Sequence, residues 1–208
     1  MVLTKIHDYT RTSLYELRWA CNLSLLMVGI SLITGCSAVI RASMIVITTD
    51  QIPWYLDITG FILARKFPVG VAKYLTWEET TKLRIASTLH HLWFLPLSMW
   101  CVSPSAPGFT CEIFLLAFSM VVTMATLGRF STPKSIIIVD ATKDKPAKEI
   151  YFNMNGSWEF WKDVKVTFFD NWYRTFNSFF VIVVLSILWH ICNSAGFFIL
   201  KFIEFIYT

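Results

Sequence analysis

The chain has 208 residues, 55% of them hydrophobic and only 15% charged, with a mean hydropathy of +0.56 and a net charge of +4. Soluble domains carry about 25% charged residues, so these values exclude an ordinary water-soluble globule. Basic residues interleaved with acids argue against a nucleic-acid surface. Eighteen Phe, nine Trp and seven Tyr point the same way, because aromatic rings gather in cores and at membrane interfaces.

The N-terminal arm, "MVLTKIHDYTRTSLYELRWA", mixes Asp8 and Glu16 with its basic residues, and no A-x-A cleavage site follows it. The apolar stretch behind it therefore reads as a retained span. That stretch, residues 21–40, is the first of four that approach the roughly 20 apolar residues needed to cross about 30 Å of hydrocarbon. The others are residues 85–102, 111–127 and 178–200. In the first, Ser31 and Gly35, beside Gly29 and Ser37, make a small-residue face that lets a second helix come close. A fifth apolar patch, residues 57–75, carries Asp57, Arg65, Lys66 and Lys73. Each would cost about 2.5–3.5 kcal/mol at a bilayer centre, so the patch reads as interfacial or re-entrant.

Thr76 and Glu79 have capping-box spacing, which predicts a helix running from the interface into span two, kinked at Pro96. Trp54, Tyr55 and Trp77 suit the headgroup level. Cys101 and Cys111 bracket an uncharged loop between spans two and three. A disulfide there is feasible if the loop faces an oxidising compartment; two ordinary buried thiols is the other reading. No cysteine has CxxC or zinc-ligand spacing, so no metal site is expected.

The loop after span three divides in two. Residues 136–139 and 149–152 read as a β-hairpin closed by a charged turn around Asp144–Pro146. Beyond Asn155-Gly156-Ser157, taken as a helix cap, Trp158, Trp161, Phe168, Phe169, Trp172 and Phe176 recur at helical spacing opposite Lys162, Asp163 and Asn171. That pattern predicts an amphipathic helix in the interface, which anchors span four or docks a partner. A weak echo between spans one plus two and spans three plus four suggests an internal repeat. The chain divides into residues 1–128 with three spans, 129–177 with the hairpin and surface helix, and 178–208 with span four.

With four spans, both termini share a side. The N-terminal arm holds Lys5, Arg11 and Arg18, the 103–110 loop no basic residue, and the tail Lys201; the two long loops hold the other fourteen lysines and arginines. The positive-inside rule then puts the long loops in the cytoplasm or matrix and both termini outside, although three basic residues in the arm oppose that placement.

Ionisable residues within spans are functional candidates. His91 shares a helical stripe with Ser87 and Ser98, and His190 with Ser186 and Ser194, so both histidines are expected to face the bundle interior. A bis-histidine haem b site on His91 and His190 is one reading. Hydrogen-bonded packing across helix seams, with Ser31, Gly35, Ser186 and Ser194, is the plainer one. His90 reads as an interfacial residue.

No nucleotide-binding, metalloprotease or nucleophile-elbow motif is present in the sequence. The expectation is an all-α membrane protein of four transmembrane helices with interfacial helices and one small hairpin. It would be a non-enzymatic structural subunit of a secretion, transport or respiratory assembly in a bacterial or organellar inner membrane. Its partners would be the lipid bilayer and other subunits or further copies of itself, with no nucleic acid and no obligatory cofactor. A haem- or quinone-binding electron-transfer subunit and an oligomeric pore are the alternatives.

Overall fold

The computed structural model describes residues 14–78, 80, 82–102, 108–138, 148–160 and 167–207. The chain is mostly helical with one two-stranded antiparallel sheet. The helices are α1 (Ala20–Thr34), α2 (Ser37–Ala64), α3 (Lys82–Ser87), α4 (His90–Cys101), α5 (Cys111–Ser131), α6 (Thr167–Thr175) and α7 (Ser178–Tyr207); the strands are β1 (Ser135–Ile138) and β2 (Lys148–Tyr151). Among the described residues, α5 and α7 are long and apolar enough to cross a membrane.

The first apolar stretch is not one span. Gly35 adopts a left-handed conformation (φ +73°) and its N–H bonds back to the Ser31 carbonyl, so α1 stops there and α2 begins two residues later. Only glycine takes that conformation without a steric penalty. The two helices fold into a tight antiparallel hairpin. Gly35 therefore serves the turn rather than a packing seam: a Cβ built on it, or on Gly29, would meet nothing within 4 Å.

The α2 helix is the axis of the bundle. Every residue from Ile40 to Thr48 is buried, because α1, α4, α5 and α7 surround it. A helix enclosed on all sides needs no polar face, yet this one buries Arg41, Thr48, Gln51 and Asp57. Those polar residues hide it from a hydropathy scan.

Residue pairs fix the direction of each helix. On α2 and α7, Arg41 pairs with Glu204 at 3.1 Å, Thr49 donates to Asn193, and Gly196 lies against Thr48; the helices are antiparallel. On α5 and α7, Arg129 donates to Ser178 at 3.0 Å while Phe114 meets Phe197 at 5.1 Å, also antiparallel. At one end, here called the head, lie the start of α1, the end of α5, the start of α7 and the sheet. At the other, the foot, lie Gly35, Phe109 and the end of α7.

This arrangement corrects the expected sidedness. The Arg18 carbonyl accepts from Asn155 at 3.0 Å and its guanidinium reaches the Ser131 carbonyl. Residue 18 is therefore at the head, with the 129–177 loop, and not opposite it. Trp77 also meets Tyr151 edge-on at 5.9 Å, which brings the first long loop to the same end. The patch from Asp57 completes α2 and then folds back. There the Asp57 carboxylate accepts the backbone N–H groups of Val69 (2.7 Å), Gly70 (3.0 Å) and Ala72 (2.8 Å).

The hairpin forms within one residue of its expected position, with Ile136 opposite Ile150; its turn lies outside the described residues. The helix into span two is interrupted at Thr88–Leu89. Thr88, Leu89, His91 and Leu92 all donate three residues back, the tighter 3₁₀ pattern, and Pro96 sits inside α4. The Thr76 hydroxyl donates to Lys73 at the end of a 3₁₀ turn. Glu79 lies outside the described residues.

Candidate functional site

The head is knotted around residues 153–158. Asn153 is fully buried; its Oδ1 accepts from the N–H groups of Trp158 (2.8 Å) and Glu159 (3.1 Å), and its Nδ2 donates to the Glu159 carbonyl at 2.8 Å. Asn155 caps a helix from a distance: its Oδ1 accepts the Ala20 N–H at 2.8 Å, satisfying a donor that α1 leaves open. Both asparagines, and Gly156 between Asn155 and Ser157, have positive φ, and asparagine and glycine are the residues that tolerate it.

Around this knot, Arg129 donates to the Ser157 carbonyl at 2.9 Å and stacks over the Trp158 ring at 4.2 Å. The Trp158 indole donates to Thr132 at 2.9 Å, and the Tyr173 hydroxyl to Gly156 at 2.5 Å. Burial raises the Tyr173 phenol above its ordinary value, so it stays a neutral donor. The segment read as a helix cap is thus a wedge that joins the ends of α1 and α5 to α6.

Of the expected aromatic surface helix, residues 158–160 lie outside a helix and residues 161–166 lie outside the described residues. Its described helical part is the nine-residue α6. Trp172 and Tyr173 are buried against Val181, Phe169 stacks on Phe160 at 5.0 Å, and Phe168 and Phe176 are exposed. Trp158 belongs to the knot and not to the helix; Trp161 lies outside the described residues.

The structure does not bring His91 and His190 together as a facing pair. The His91 ring stacks on Trp54 at 5.1 Å and lies 4.3 Å from His90. The His190 ring sits against Phe114 (4.1 Å) and Phe118 (4.6 Å) on α5. A groove of about 260 Å³ between α1 and α5 is lined by Leu23, Met27, Leu116, Met120, Met124 and two hydroxyl residues, and by no histidine.

The seam residues also differ from expectation. Ser31 and Ser194 donate to their own helices, at Met27 (2.6 Å) and His190 (3.0 Å). Ser186 is buried. Among the described residues, the polar contacts that cross the α2–α7 seam are Thr49 to Asn193 and Arg41 to Glu204, and Gly196 lets the helices come close against Thr48. Asn193 was legible as a polar residue within an apolar run. A search for ionisable groups alone passes over it. Cys101 closes α4 and Cys111 opens α5, both as thiols.

What does converge is a set that spacing could not reveal. Donor atoms of Cys21, His90 and His91 lie within 4.8 Å of one another where α1 meets α4. Beside them the Tyr55 hydroxyl donates to the His91 carbonyl at 2.6 Å, tying α2 to the same corner. Comparison with known protein families, with curated proteins and with solved structures returned no match to this chain.

Proposed function

We propose that the chain is a multi-pass integral membrane protein acting as a structural subunit, with its head as the docking face for other subunits. One observation carries the membrane reading: large apolar side chains lie exposed over the bundle while several of its polar and charged residues are buried among its apolar core. Ile33 (87% exposed), Trp100 (82%), Phe205 (78%) and Phe179 (74%) cover the outside, while Arg41, Gln51, Asp57 and Asn193 lie within. Water does not tolerate so continuous an apolar surface, whereas lipid requires it and drives polar groups inward.

In this reading α1, α2, α4, α5 and α7 each pass from one face to the other, giving five crossings where the hydropathy pattern suggested four. At 1.5 Å per residue α2 reaches about 42 Å, while α1 and α4 reach only about 22 and 18 Å. Apolar residues ahead of each, Leu17 and Trp19 for α1 and Ile85 and Leu89 for α4, bring them nearer the hydrocarbon thickness of about 30 Å.

The charge distribution supports the count. With α1 and α2 paired as a hairpin, all eighteen lysines and arginines except Arg41 and Lys201 belong to the N-terminal arm and the two long loops. The described parts of these segments gather at the head. The objection raised by the basic arm disappears, and the head takes the cytoplasmic or matrix side. Docking is supported by Phe168 on α6 and by Phe176 just after it, both exposed, with Phe176 against the exposed Phe180 at 4.5 Å at the junction of head and bundle.

Washing native membranes at alkaline pH tests the membrane reading: the chain should stay in the pellet and leave it only with detergent, and release without detergent would overturn it. Gentle detergent extraction tests the subunit reading, which requires defined co-purifying proteins that Phe168→Asp weakens without reducing insertion. A well-behaved monomer from the native membrane would contradict it.

A further inference from the structure

Three side chains distant in sequence meet where α1 and α4 begin. Cys21 is in the first turn of α1, and His90 and His91 open α4. Both imidazoles are only 6% exposed. The His90 Nδ1 lies within hydrogen-bonding reach of the Ser87 carbonyl. Because a carbonyl only accepts, the proton belongs on Nδ1, leaving Nε2 with a bare lone pair. That Nε2 is buried and has no partner among the described residues, and the same holds for the His91 Nδ1. The stack on Trp54 holds the second imidazole in place.

A buried polar atom left unpaired costs about 1–3 kcal/mol. Two imidazoles that each keep an unpaired buried nitrogen, in a cluster with the Cys21 sulfur, make an arrangement that one shared electrophile would relieve. A tetrahedral cation with bonds of about 2.3 Å to sulfur and 2.0–2.1 Å to nitrogen sets its donors roughly 3.3–3.7 Å apart. Donors within 4.8 Å of one another reach that spacing through shifts of about 1 Å. One thiolate and two imidazoles, with no carboxylate, suit soft and borderline ions and not magnesium or calcium. The Ser87 carbonyl behind His90 is the outer partner that a metal-bound imidazole ordinarily has. The N-terminal turn of α1 directs the positive end of its dipole at the sulfur, which favours the anionic ligand.

We propose that Cys21, His90 and His91 bind a d¹⁰ cation, Zn²⁺ or Cu⁺, which clips α1 to α4 at the head. Binding replaces the thiol proton of Cys21, which leaves to solvent, and involves no electron transfer. Three protein donors complete a trigonal Cu⁺ site or leave zinc one open position. The inference rests on the cluster itself and holds whatever solvent surrounds the bundle.

The test uses the purified full-length chain in detergent, reduced, and alkylated with and without added Zn²⁺ or Cu⁺. Peptide mass spectrometry should show Cys21 protected by the bound ion while the exposed Cys111 reacts as before. Protection by one ion and not the other assigns the site to that ion. Equal alkylation of Cys21 with and without both ions would overturn the proposal. Co²⁺ serves as the spectroscopic probe for zinc and should give a thiolate-to-metal charge-transfer band with tetrahedral visible bands. Cys21→Ser should abolish that charge-transfer band, and His90→Ala should weaken binding at least about tenfold, with helicity retained in both. A charge-transfer band that survives Cys21→Ser would place the metal elsewhere and defeat the assignment.

Discussion

The knot of residues 153–158 and the axis of the bundle differ in how many of their buried polar groups find partners. In the knot, both side-chain polar atoms of Asn153 and of Asn155 are hydrogen-bonded, and the Tyr173 hydroxyl and the Trp158 indole are as well, while the buried Ser157 hydroxyl has no partner among the described residues. In the bundle, both amide atoms of Gln51, the hydroxyls of Ser43 and Ser186 and the Nδ2 of Asn193 are buried without a partner among the described residues. The head's polar residues specify geometry, since each bond fixes where one helix end meets another. Those of the bundle sit along the axis of α2 and its seam with α7, where structure alone leaves them unspent. A fully satisfied network rigidifies, and a partly satisfied one marks where stability was traded for something else.

Four tests, five substitutions in all, would break or sharpen that contrast, each read by unfolding of the purified protein in mixed micelles. The largest effect is expected at the foot. Glu204 pairs with the 2% exposed Arg41 and accepts the Phe109 N–H at 3.0 Å. Glu204→Ala strands a buried cation and should cost about 3–5 kcal/mol. A loss below about 1 kcal/mol would mean that Arg41 finds water instead. Asn155→Ala comes next: it removes the cap of α1 and the bond to Arg18 and puts alanine at φ +55°, for a loss of about 2–3 kcal/mol. An unchanged midpoint would show that the knot does not hold the head.

The third is a matched pair of glycines. A Cβ on Gly196 would stand 2.9 Å from Thr48, while one on Gly29 meets nothing within 4 Å. Gly196→Ala should therefore destabilise by about 1–3 kcal/mol, and Gly29→Ala should stabilise by up to about 1 kcal/mol through helix propensity. Equal effects would place the α2–α7 seam wrongly. The smallest change is expected from Gln51→Leu. Removing two unpaired buried atoms should leave stability within about 1 kcal/mol or raise it slightly; a clear loss would show that Gln51 has a partner.

How much of this was legible depended on how far apart the cooperating residues lie. The helices expected as spans three and four and the hairpin come from local hydropathy and alternation; both helices start at their expected residues and run past their expected ends, and the hairpin lies within one residue of its expected place. The α1–α2 hairpin failed because Gly35 has two readings, a small packing residue or a left-handed helix stop, and composition favours the first. The turn sets Arg41 at the foot, where it pairs with Glu204, a partner 163 residues away that local sequence does not reveal. Asn153 to Gly156 could have been recognised as a positive-φ turn from its residues. That it would reach back to Ala20 could not. Cys21, His90 and His91 belong to different helices, and only the packing of α1 beside α4 brings them together.

The central claim is that the chain turns back at Gly35–Cys36, so that this turn emerges on the face opposite the head. Cys36, exposed at that turn, reports on it directly when kept as the sole cysteine in intact cells or organelles. The account predicts labelling by a membrane-impermeant maleimide added from outside. A thiol that reacts only after the membrane is opened, or that stays shielded in a continuous span, would contradict it.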